Sequence, residues 1–324
     1  MHLRPTDDEL AIDEVFEAFF SAEVSPSGVR ASEHLGHDPD LWRRLAETGA
    51  PGMAVPEAAG GAGAPLAVAA IAARHLGRSL GPVPLIEHVA ATRAIAHAAP
   101  DHETLPDLVA GTGIATLALE GDLVPAGAVA DVVVRPAADG LVVDRSTPPM
   151  AAEPNAAGLP LAYRPVASDP VGSDSGRSIA EWQALMATAL CGLGARALEI
   201  GVDYVKNRHQ FGVAVGTFQA IQHGLADAST RIEGATFLAS RAIWSLDTDQ
   251  PDAHTKATMA FLFSAEAAQH ASSTALQYHG GYGYAEEYDI QLYYRRARGW
   301  ALQAGDPTLV YRRLADDLLP EAVA

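Results

Sequence analysis

Cationic residues are scarce in this chain: 22 lysines and arginines stand against 40 aspartates and glutamates, a formal net charge of -18 over 324 residues. A nucleic-acid partner needs a positive field, so this balance excludes that class. Cysteine is nearly absent as well. Cys191 is the single thiol, which excludes an internal disulfide framework and fits a reducing compartment. Its flanks, ATALCGLGA, are small residues suited to close helix packing. No apolar run approaches the roughly 18 residues needed to cross a bilayer, and the start, MHLRPTDDEL, lacks a signal peptide's apolar core. These absences predict a cytoplasmic protein with neither a membrane nor a nucleic-acid partner. Hydrophobic residues are abundant at 48%, enough for a large core divided among several layers.

Three patterns follow one another along the chain, predicting domains over 1–112, 113–175 and 176–324. The first is helical. Thr6-Asp7-Asp8-Glu9 fits a capping box, and Leu10, Val15, Phe16, Phe19 and Phe20 recur at helical spacing. Within this region Gly60, Gly61 and Gly63 form a glycine cluster. No Lys-Ser/Thr follows it and no strand pattern precedes it, so a turn between helices is favoured over a phosphate cradle.

From Gly113 to about Ser168 short apolar runs alternate with Gly, Pro and Asp clusters, which predicts a small β domain with a hairpin turning at Asp139-Gly140. From Ser178 helical spacing returns. Ile179, Trp182, Leu185, Ala189, Leu193, Ala197, Ile200 and Tyr204 form one stripe, and two further helices are expected over about 216–246 and 253–279. The third stops at Gly280-Gly281, as glycine permits. The fold class is therefore mainly α with a small β domain, closing on a C-terminal helical bundle.

Two segments carry the chemistry: RHQFGVAVGTFQAIQH from Arg208, and QYHGGYGYAEEYDIQLYYRRAR from Gln277. Together with the turn MAVPEAAGGAG they resemble the signature segments of the acyl-CoA dehydrogenase family. That resemblance implies an N-terminal helical domain, a middle β domain, a C-terminal bundle, FAD as cofactor and an acyl-CoA thioester as substrate. By the same resemblance Arg208, Gln210, Phe211, Gln219, Gln277, Gly280 and Gly281 contact the nucleotide half of a flavin held mainly by the neighbouring subunit. The residue types suit this role: a guanidinium makes paired bonds to a diphosphate, amides offer donors and acceptors, and glycine lets a backbone approach closely. The competing reading of Arg208 is a cation at the carbonyl end of its own helix. Glu287, Tyr293, Arg295 and Arg298 extend the match and are assigned to the helix surface and its ion pairs.

Family members remove the α-proton of the thioester with a glutamate while hydride passes from the β-carbon to the flavin. The two positions where that glutamate stands are occupied here by Ala304 and Trp182. Glu181, one residue from the second position, is the sole nearby substitute, although a one-residue step turns a helix by about 100°. The segments of the β domain that normally hold the isoalloxazine ring are not found. Retained neighbour-facing residues beside missing catalytic ones resemble the short, catalytically incomplete subunits of actinobacterial heteromeric acyl-CoA dehydrogenases, several of which act on steroid side-chain thioesters.

The expected function is thus a subunit of a flavin-dependent α,β-dehydrogenase, in a hetero-oligomer whose full-length partner supplies the glutamate. The alternatives are a self-sufficient homo-oligomer using Glu181 and a scaffold subunit without FAD. Fatty, branched and steroid acyl chains all remain open. No metal-binding or hydrolase pattern is present; His34 and His37 belong to a polar loop, and the tyrosine-rich segment from Tyr278 to Tyr294 is assigned to interface packing.

Overall fold

The computed structural model describes residues 4–137, 140–165, 170–174 and 176–319. Its first layer holds α1 (Asp7–Glu23), α2 (Pro26–Ala31), α3 (Pro39–Glu47), α4 (Leu66–Ser79), α5 (Leu85–Ala98) and α6 (Leu105–Ala110). The predicted capping box starts α1: Glu9 N–H donates to Thr6 Oγ1 at 3.2 Å, and Thr6 N–H donates to Glu9 Oε2 at 2.7 Å. Helix α5 is buried throughout Leu85–Ala96, although it carries Glu87, His88, Thr92 and Arg93. It therefore lies between other layers rather than against solvent.

The glycine cluster is a folded turn. Gly60, Gly61 and Gly63 donate their N–H groups to Glu57, Pro56 and Val55 carbonyls, so none is left to cradle an anion. A Cβ on Gly61 would run into the Val55 backbone, which fixes that residue as glycine.

The middle region contains β1 (Ala115–Leu117), β2 (Leu123–Val124), β3 (Val132–Ala137), β4 (Gly140–Arg145), β5 (Ala162–Tyr163) and β6 (Pro170–Val171). β1, β3, β4 and β6 form one sheet in that order; β2 and β5 pair separately. β3 and β4 are antiparallel with Ala137 opposite Gly140, the expected hairpin; Asp139 of the expected turn lies outside the described residues.

The bundle is built from α7 (Arg177–Asn207), α8 (Gln219–Asp247), α9 (Ala253–His279), α10 (Ile290–Leu302) and α11 (Pro307–Leu318), with the short hairpin β7 (His209–Gln210) and β8 (Val213–Ala214) after α7. Helix α7 corrects one reading of the sequence, since by length and composition it is apolar enough to cross a membrane. Of that apolar window 61% is buried, and α7 packs on α4, α8 and α9 as the core helix of the bundle. Close approach to α4 rests on two glycines: a Cβ on Gly77 would strike the Ala189 carbonyl, and one on Gly192 would strike that of Arg74. Cys191, beside that crossing, is buried 3.5 Å from Ser264 Oγ.

Candidate functional site

Arg208 caps the C-terminus of α7, where its backbone N–H donates to Tyr204 O at 2.9 Å. The next four residues reverse the chain. Phe211 and Gly212 have φ of 54° and 82°, a two-residue loop of the primed type between β7 and β8. This hairpin carries Gln210 and Phe211 outward: the ring of Phe211 is 93% exposed and meets Phe218 edge-on at 6.4 Å. Gln219 is exposed at the first position of α8.

The end of α9 comes alongside. Gly280 ends that helix at φ 62°, and the chain then turns through a short 3₁₀ segment, Gly280–Tyr284. Arg208, Tyr204, Asp203 and Asn207 from α7 and its end face His279, Tyr282 and Tyr288 across an open groove of about 550 Å³. The two signature segments are thereby joined in one place. Gln277, Gly280 and Gly281 are exposed, and open space surrounds the position of a Cβ on Gly212, Gly280 or Gly281. A ligand backbone can approach all three glycines.

The floor of the groove is aromatic. Tyr204 stacks on His279 with ring centroids 3.9 Å apart, and Tyr288 meets both rings edge-on. His279 Nδ1 bonds the Ala275 carbonyl at 2.7 Å, and burial lowers its pKa, which favours the neutral imidazole. Arg208 lies 5.7 Å above the ring of Tyr282 and makes no ion pair among the described residues. Its side chain makes no bond to the carbonyl end of α7 either. A free guanidinium over aromatic faces suits a diphosphate beside a stacked base, and the residues present fit the nucleotide part of FAD. Tyr282 and Tyr288, read from sequence as interface packing, thus line the groove. Tyr204 was read only as part of the bundle stripe and His279 only as part of the QYHGG segment, because their stacking joins two separate helices.

Arg295 and Tyr293 are structural, as expected: Arg295 pairs with Glu33 at 2.5 Å and Tyr293 Oη donates to Arg78 O at 2.9 Å. Arg298 lies 3.9 Å over the ring of Tyr294.

The positions expected of a base are filled differently. Trp182 is fully buried against Phe261, with ring centroids 5.4 Å apart. Ala304 is part-buried; of the acids at its loop, Asp306 caps α11 by accepting from Thr308 N–H at 2.8 Å, and Glu120 leans on Gly305 and pairs with Arg313 at 3.2 Å. Glu181 is a correction. Its carboxylate accepts from Arg93 Nε at 2.8 Å, from Arg93 Nη2 at 2.9 Å and from Arg177 Nε at 2.8 Å. Burial would raise its pKa, but the two guanidiniums hold it below the usual range. A base for a weakly acidic carbon needs the opposite shift and a free lone pair. Glu181 has neither.

Two carboxyls do have a raised pKa: burial lifts Asp247, whose oxygens accept from the Leu66 and Ala67 N–H groups, and it lifts Glu87. Glu87, inside α5, is pushed up to about 7 by burial. The indole N–H of Trp182 faces it without meeting hydrogen-bond geometry and offsets only part of that rise. An acid within the largely apolar run LIEHVAATRAIA was the sequence signal for this group. No cluster of metal-ligating side chains occurs among the described residues.

Comparison with known proteins supplies the context. The model of the acyl-CoA dehydrogenase N-terminal domain matches residues 6–112, and that of the C-terminal domain matches residues 178–318. The chain is 35% identical to acyl-CoA dehydrogenase IpdE2 of Mycobacterium tuberculosis over 98% of its own length and 99% of the relative's. It is similar to the solved Tcur3481-Tcur3483 steroid ACAD, with a TM-score of 0.87 and 26% identity over 98% of this chain and 99% of the other. The ChsE4-ChsE5 complex from Mycobacterium tuberculosis shares the fold at a TM-score of 0.86 and 22% identity, covering 98% of this chain and 99% of that one.

Proposed function

We propose that this chain, which belongs to the acyl-CoA dehydrogenase family of FAD-dependent oxidoreductases acting on CH–CH bonds, serves as the catalytically incomplete subunit of a hetero-oligomeric dehydrogenase. The flavin, when bound, accepts the hydride that leaves the acyl β-carbon. This chain's part is to hold the nucleotide half of a flavin seated against a partner subunit: Arg208 on the diphosphate, the Tyr204–His279 stack and Tyr282 on the flat groups, and Gly280 and Gly281 at the point of closest backbone approach. Gln210, Phe211, Gln219 and Gln277 border the same surface. The α-proton is then removed by a full-length partner's glutamate.

The observation that carries this reading is the Arg208 groove, a solvent-open aromatic surface under a cation without an acidic partner. The burial of Trp182 and the ion pairing of Glu181 support the partner-supplied base, and they weigh against the self-sufficient homo-oligomer. The likeness to the Tcur3481-Tcur3483 steroid ACAD, at 26% identity, supports a steroid acyl-CoA as one candidate substrate.

Arg208→Ala in the assembled complex tests the reading. Loss of a charge-assisted contact of about 1.5–3 kcal/mol should weaken flavin retention roughly 10- to 100-fold. Unchanged flavin occupancy would support a scaffold subunit that holds no FAD.

A further inference from the structure

Asp203 stands near the C-terminus of α7 and lines the same groove as Arg208. It is exposed, and its carboxylate makes neither a hydrogen bond nor an ion pair among the described residues. The amide of Asn207, which could have met it, donates to the Asp203 backbone carbonyl at 2.8 Å instead. An acid at this end of a helix lies at the negative pole of the dipole and does not support α7. What the carboxylate contributes is therefore on the groove side.

The ligands of the assembled enzyme make this acid informative. FAD and an acyl-CoA both contain adenosine diphosphate, so a groove with a guanidinium for the diphosphate and aromatic faces for the adenine suits that part of either molecule. They differ at the ribose. The adenosine ribose of FAD keeps both its hydroxyls, whereas that of CoA carries a phosphate on the 3′-oxygen. A carboxylate accepts from a hydroxyl and repels a phosphate. Arg208 is the only lysine or arginine among the described lining residues, and His279 favours its neutral form. A third phosphate would meet Asp203 with no cation of its own.

We infer that Asp203 sets the ligand specificity of the groove: it accepts hydrogen bonds from the ribose hydroxyls of FAD's adenosine and rejects the 3′-phosphoadenosine end of CoA. The two adenine-bearing ligands of the reaction are thereby kept from exchanging places, through a repulsive element rather than an added attraction. The inference rests on the proposed role of the groove as a seat for the nucleotide half of the flavin.

The test is titration of the purified full chain with ADP, dephospho-CoA and CoA up to the millimolar range, followed by ligand-observed NMR and calorimetry. Dephospho-CoA and CoA differ in the 3′-phosphate alone. The wild type is expected to bind ADP and dephospho-CoA roughly tenfold or more tightly than CoA. Asp203→Asn, which removes the charge, should narrow that gap, and Asp203→Lys should reverse it in favour of CoA. Arg208→Ala should weaken all three ligands alike. Asp203 is exposed, so both of its variants should keep the fold, which their melting temperatures check. Equal affinity of the wild type for CoA and dephospho-CoA would overturn the inference and leave the nucleotide groove standing, as would an unchanged preference in folded Asp203→Lys. Binding of none of the three, or binding that Arg208→Ala does not weaken, would overturn the groove reading itself and this inference with it.

Discussion

Arg93 grips Glu181 with two parallel hydrogen bonds, Nε to Oε2 at 2.8 Å and Nη2 to Oε1 at 2.9 Å, and so ties α5 to α7 in the interior. Arg93 also donates through Nη1 to the Ala54 carbonyl, and Arg177 closes the other side of the carboxylate before pairing with Asp249. The glutamate is the centre of a structural ion cluster. Removing one member of a buried pair leaves the others unmet.

Glu181→Gln should therefore destabilise the chain by about 3–5 kcal/mol, with no specific effect on chemistry in the assembled enzyme. Urea unfolding and kcat per folded complex check both halves. Lost turnover at unchanged stability would restore Glu181 as a base.

Glu87 makes the opposite prediction. Its folded-state pKa, about 7, lies above the ordinary glutamate value of 4.5, so the folded state binds the proton more tightly than the unfolded one. The group destabilises the fold as pH rises from 4.5 to 7, and the penalty is constant above that. Glu87→Gln should thus match the wild type near pH 4.5 and gain up to about 3 kcal/mol at pH 8. Denaturant midpoints of both proteins across this range give the answer, and a pH-independent difference would refute it.

Gly192→Ala tests the α4–α7 crossing. Its Cβ would meet the Arg74 carbonyl, so the helices must separate, at a cost of about 1–3 kcal/mol or more. Thermal unfolding should show the loss; a neutral outcome would mean the crossing is looser than drawn.

How much of this was legible beforehand follows from where each signal resides. Local chemistry was readable: the Thr6–Glu9 cap, the β3–β4 hairpin and the ends of α9 are all written in neighbouring residues. So were the small residues around Cys191. Partnerships across the fold were not. Glu181 looked like a spare acid because Arg93, its partner, lies 88 residues away and in another layer. Tyr204 and His279 sit on separate helices, and only their stacking makes a surface of them. The unpaired state of Asp203 and Arg208 in one groove is a property of packing, invisible in a run such as DYVKNR. The search for unbroken apolar runs also misjudged α7, whose scattered polar residues conceal an apolar mean.

The most direct test of the central claim is the visible absorption spectrum of this chain purified alone and again after co-purification with a full-length acyl-CoA dehydrogenase subunit. A shared interfacial site predicts flavin absorbance in the co-purified sample only. Flavin in the lone chain, bleached by an acyl-CoA, would contradict the account and show a complete active site in this subunit.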